Sequence, residues 1–80
     1  MDKFGEKIRA LRTRRGLTLT ELAAELGLSA HGYLSELEAG KKIPTVELVI
    51  KVAGFFNVST DELLKDDLKV QYPSGNERRP

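Results

Sequence analysis

Residues 18–40, TLTELAAELGLSAHGYLSELEAG, constrain the fold more tightly than any other stretch. Leu19, Leu22, Ala23 and Leu26 fall at i, i+3, i+4 and i+7, the apolar stripe of a short helix. Thr18 and Glu21 have the spacing of a capping box, in which hydroxyl and carboxylate each satisfy a backbone N–H at the helix start. Gly27 stops that helix, and Ser29 is placed to cap the next. The second helix is expected to bury Ala30, Tyr33, Leu34 and Leu37. Two helices of about nine residues each are marginal in water, so a third body must pin them.

The flanks supply that body. A first helix is expected over residues 3–14, capped by Asp2, with Phe4, Ile8 and Leu11 on one face and Gly16 at its end. Gly40 to Pro44 reads as a loop, because Ile43 precedes proline and is pushed out of the helical region. Thr45 then caps a fourth helix over residues 46–56. Ser59 and Glu62 form a second capping box that starts a fifth helix ending at Leu64 or Lys65. The fourth helix is apolar nearly all round, at Val46, Leu48, Val49, Ile50, Val52, Ala53, Phe55 and Phe56. Such a helix is covered on nearly every side, either as the centre of the core or with one flank against a second copy. From Asp67 to Tyr72 the apolar positions alternate with the period of a strand. Residues 1–65 therefore read as one domain, and 66–80 as a C-terminal extension: first either a strand that pairs with its own copy across a dimer axis or an extended tail, then a polar segment expected to be mobile.

Two short helices joined by a glycine turn, the second with a polar outward face, are the components of a helix-turn-helix. The order RxxxGLT from Arg12, ELA from Glu21, YLSELExG from Tyr33, Pro44, and NVSTDELL from Asn57 resembles the Cro/C1-type regulator family over roughly residues 3–64. The resemblance implies an all-α, five-helix, lambda-repressor-like domain that binds double-stranded DNA. It implies base contacts from the positions of His31, Gly32 and Glu36, and an ion pair between Arg12 and Glu38 that ties the first helix to the third. Two departures stand out. Leu19 occupies a place where the family commonly has glutamine, and one residue more than usual lies between Ser29 and Tyr33.

Read without the resemblance, the third helix presents Gly32, Ser35, Glu36 and Ala39 once its buried stripe is subtracted, with His31 at its shoulder. Glu36 can accept a hydrogen bond from cytosine N4, or else pair with Lys41 or Lys42; Ser35 can bond a base or a phosphate. Phosphate contacts are expected from Thr18, Thr20, Ser35, Lys41, Lys42 and the backbone of residues 40–42. The net charge of +1 is silent on nucleic acid, but nine of the thirteen Lys and Arg residues precede residue 52. Asp61, Glu62, Asp66 and Asp67 gather later in the chain, so one face is set for phosphates and another for something else.

Eighty residues make one small domain, and the absence of cysteine removes disulfides and thiolate metal sites. One histidine, with no serine elbow or glycine-rich phosphate loop, offers no nucleophile–base set, so neither enzyme, cofactor, metal nor small-molecule ligand is expected. No stretch approaches a membrane span, and the N-terminus lacks the apolar run of a signal peptide; a cytoplasmic protein is expected. The expected function is a sequence-specific transcriptional regulator, a repressor acting as a homodimer on a palindromic operator. Phe55, Val70 and Tyr72 are the candidate dimer residues. The alternative is an antitoxin- or antirepressor-type module that uses the same fold to grip a protein.

Overall fold

Each of the apolar stripes finds its partners in a single core. The computed structural model describes residues 2–71, and among these it forms five helices and no strand: α1 Phe4–Arg14, α2 Leu19–Glu25, α3 Gly32–Glu38, α4 Val46–Phe56 and α5 Thr60–Leu64. Phe4, Ile8 and Leu11 of α1 meet Leu22 and Ala23 of α2, Leu34 and Leu37 of α3, and the Leu48–Phe56 stripe of α4, with Leu63 of α5 closing the cluster. No charged or polar side chain is buried among the described residues. The core is thus held by apolar burial, each fully buried large side chain contributing about 1.5–3 kcal/mol.

Local capping sets where most helices begin. Thr18 and Glu21 complete their capping box, with Oγ1 accepting from the Glu21 N–H at 3.0 Å and Oε1 accepting from the Thr18 N–H at 2.8 Å. Ser59 and Glu62 do the same for α5, and Thr45 accepts from the Leu48 N–H for α4. Gly27 lies at φ +75, the left-handed conformation that lets the chain turn from α2 towards α3. α4 ends on Asn57, also left-handed, whose type tolerates that region better than most.

Four expectations need correction. Asp2 does not cap α1: the N-cap position is Lys3, without a side-chain cap, and the N–H groups of Asp2 and Lys3 go instead to the carboxylate of Asp66. Those bonds, that from Lys3 foremost, draw the Asp66 carboxyl from its ordinary 3.8 down to about 2. Ser29 does not start the third helix; α3 begins at Gly32 with His31 in the N-cap position, and Ala30 is exposed rather than part of the buried stripe. Of the two readings of the strand-period segment, the strand is not formed among the described residues: residues 66–67 turn, and the chain runs back irregularly to Gln71. Backbone groups that would have paired across a strand are taken by side chains of the same domain, the Gln71 N–H by Glu62 and the Leu68 carbonyl by Lys7. Finally, Val70, read above only as a candidate dimer residue, packs half buried against the core of its own chain. Tyr72 and the rest of the tail lie outside the described residues.

The tightest approach in the fold is between the first turn of α1 and the end of α3. A Cβ on Gly5 would collide with the Leu37 carbonyl and lie 2.9 Å from that of Glu38. Both obstacles are backbone, so neither can swing aside. Gly5→Ala would ordinarily favour a helix by about 0.5–1 kcal/mol. Here it should instead destabilise the protein by roughly 1–3 kcal/mol, because it forces α1 away from α3. Denaturant melts of the variant read the sign directly.

Candidate nucleic-acid interface

α3 is short, and its position depends on what holds its two ends. Leu34 and Leu37 anchor its inner side in the core, and Tyr33 packs half buried beside them. At the C-terminal end, Arg12 grips Glu38 through two parallel hydrogen bonds, Nε to Oε2 at 2.7 Å and Nη2 to Oε1 at 3.0 Å. Its remaining nitrogen, Nη1, donates to the Leu17 carbonyl at 2.9 Å, so one guanidinium joins α1, the α1–α2 loop and α3. Both side chains are largely withdrawn from solvent. The hydrogen bond to Glu38 raises the Arg12 pKa above its ordinary value, which keeps the pair charged.

With its inner side fixed, α3 exposes His31, Gly32, Ser35, Glu36 and Ala39. Gly32 has open space where a Cβ would stand, so its smallness serves nothing inside the chain and leaves room outside it. Glu36 lies 3.9 Å from the Lys42 ammonium, an exposed pair. A carboxylate so placed keeps acceptor capacity while its charge is partly offset by the lysine. At the α3 terminus, Gly40 donates its N–H to the Leu37 carbonyl at 3.1 Å and Lys41 to that of Glu36 at 2.9 Å. These two amides are therefore already bonded within the chain. Lys41 and Lys42, which carry the other phosphate donors expected from this loop, are both exposed.

Thr18 and Thr20, at the start of α2, are exposed as well. The Thr18 oxygen accepts from Glu21, but its O–H proton can still be donated. The basic run Arg12-Thr13-Arg14-Arg15 does not act as one patch. Arg12 is spent on Glu38, while Arg15 stacks over both Phe55 and Phe56, 5.0 Å from each ring centroid. The two rings meet edge to face at 4.9 Å. Phe55 is thereby half covered, and the surplus apolar surface of α4 lies elsewhere, at Val46 and Ile50.

Gly5 and Lys7 were not singled out from the sequence, and Asp66 was noted only as one of four gathered acidic residues. A glycine in the first turn of a strong helical pattern was a visible signal for Gly5. Lys7 and Asp66 act on residues more than fifty positions away, and no local pattern marks them.

Comparison with known proteins places this geometry. The helix-turn-helix family profile matches residues 8–63. The transcriptional activator BcrR of Enterococcus faecalis is 38% identical over 65 residues, which cover 81% of this chain and 31% of BcrR. The cryptic phage CTXphi transcriptional repressor RstR of Vibrio cholerae is 40% identical over 63 residues, covering 79% of this chain and 56% of RstR. The chain thus spans between about a third and just over half of these relatives. Among solved structures, the N-terminal DNA binding domain of SinR from Bacillus subtilis superposes with a TM-score of 0.76 at 30% identity, over 86% of this chain and all of that domain.

The Arg12–Glu38 pair sets the seat of α3, and its removal should be asymmetric. Arg12→Met, which leaves a withdrawn carboxylate without its partner, should cost about 2–3 kcal/mol. The double variant with Glu38→Leu should recover part of that loss. Thermal unfolding of the two single variants and the double measures the coupling.

Proposed function

Since the chain belongs to the Cro/C1-type helix-turn-helix family of transcriptional regulators, we propose that it is a sequence-specific DNA-binding regulator, a repressor that reads a palindromic operator as a homodimer. The observation that carries this reading is the α3 surface. Its inner residues are buried, its C-terminus is bolted to α1, and its outward residues are small or hydrogen-bonding. A helix so presented can enter a major groove closely at Gly32 and Ala39 and offer Ser35, Glu36 and His31 to base edges. Lys41 and Lys42 at one end, and Thr18 and Thr20 at the start of α2, flank it with groups suited to phosphate oxygens.

The dimer rests on a separate observation. Ile43, Val46 and Ile50 are 75%, 76% and 58% exposed. One such residue alone would be ordinary. Here Val46 and Ile50 border a groove completed by Pro44, Val49, Thr60 and Leu64, and Ile43 directly precedes it. A second copy docked on this face would cover the unpartnered flank of α4. Because Ile43 follows Lys42, the same contact would bring two phosphate-binding loops and two recognition helices to one side of the pair. Half-sites about one DNA turn apart, ~34 Å, are the matching operator geometry.

Two experiments test the reading. Lys41→Ala with Lys42→Ala should weaken binding to all sequences about equally and flatten the dependence of log K on log salt by roughly one unit per lost contact. An unchanged slope would remove the loop from the interface, and binding to protein but to no DNA would favour the interaction-module alternative. Ile50→Lys should shift the protein towards monomer in sedimentation and reduce operator affinity while its helical signal stays intact. A variant as dimeric as the parent would place the self-contact elsewhere.

A further inference from the structure

Contacts that the DNA-reading account does not use fasten the residues after α5 to the first turns of α1. Each oxygen of the Asp66 carboxylate accepts one backbone N–H, from Asp2 and from Lys3, both at 3.0 Å. Lys7 Nζ donates to the carbonyls of Glu62, Lys65 and Leu68, the last two at 2.8 Å. An ammonium has three donors, so this cluster of carbonyls saturates it. Glu62 Oε2 accepts from the Gln71 N–H at 3.0 Å while its other oxygen completes the Ser59 capping box. Val70 adds apolar packing, lining with Lys3, Lys7 and Ala10 the crevice between α1 and the returning chain.

The place of attachment matters. Gly5 lies between Lys3 and Lys7, in the same turn that Asp66 and Lys7 hold, and its approach to the Leu37 and Glu38 carbonyls leaves no slack. Asp2, Phe4 and Gly5 also line one cleft with Gly40, Lys42 and Ile43, at the edge of the phosphate loop. Close-packed contacts of this kind transmit a displacement rather than absorb it. A shift in the first turn of α1 must move the end of α3.

We propose that residues 66–71 are a latch that seats the recognition helix through α1, with Asp66 and Lys7 as its positioning residues. The inference rests on the DNA-reading function argued above. It makes the segment after α5 the route by which a load on the C-terminal side alters how α3 is presented. Neither residue needs to touch DNA for this role.

Amide hydrogen exchange on the free chain tests the latch without DNA. Asp66→Asn and Lys7→Met should each accelerate exchange of the Leu37–Lys41 amides several-fold, while those of Val52 and Ala53 in α4 change less. Unaltered exchange at 37–41 in both variants would overturn the latch. Equal acceleration in α4 would overturn it too, since the contacts would then only stabilise the domain. In binding assays with DNA selected by the parent from a random pool, both variants should lose about fivefold in the ratio of selected to random affinity. The two substitutions change net charge in opposite directions, so long-range electrostatics would move binding oppositely, whereas the latch moves specificity the same way. Opposite shifts, or an unchanged ratio, would contradict the proposal. A parent protein that selects no DNA would refute the DNA reading instead, and exchange alone would then decide the latch.

Discussion

Everything on the outward face of α3 depends on the junction between α1 and α3. A backbone-to-backbone approach at Gly5 and a bidentate Arg12–Glu38 pair fix the distance and the rotation of the two helices. The first contact is steric and tolerates no added atom; the second is directional and sets which side of α3 faces out. A seven-residue helix has little stability of its own. Its presentation as the proposed reading head depends on being held at both its inner stripe and its terminus.

The charges of the domain are sorted by role. Two arginines at the end of the first helix, which a count of basic residues would assign to phosphates, are engaged within the chain: Arg12 with Glu38 and the exposed Arg15 with the two phenylalanine rings. Lysines of the α3–α4 loop face solvent, and one of them holds Glu36 in a loose exposed pair. This division explains how a chain with a net charge of only +1 can still present cationic groups beside a hydrogen-bonding helix face. It also predicts that specificity and electrostatic affinity are separable by mutation, because they reside in different side chains.

The helices and their caps were legible because their determinants are local. Thr18, Thr45 and Ser59 each cap a helix whose apolar spacing follows at once, and the Cro/C1-type signature placed Arg12 against Glu38. Illegible were the features decided by distant residues. Asp66 replaces Asp2 at the start of α1 across more than sixty positions, and Lys7 collects the Leu68 carbonyl together with those of Glu62 and Lys65. Alternation from Asp67 to Val70 was real in the sequence, yet it reports Val70 turning inward rather than a strand. For α4, the apolar circumference was correctly noticed, but which flank remained open depended on Arg15 reaching Phe55, a contact with no sequence pattern.

The central claim is that α3, seated by α1, reads DNA sequence as one half of a two-fold pair. Selection of bound duplexes from a random library by the purified chain tests it most directly. The account predicts recovery of an inverted repeat whose half-sites lie about one helical turn apart. Recovery of no enriched sequence, or of a single unpaired half-site at protein concentrations where the chain is dimeric, would contradict it.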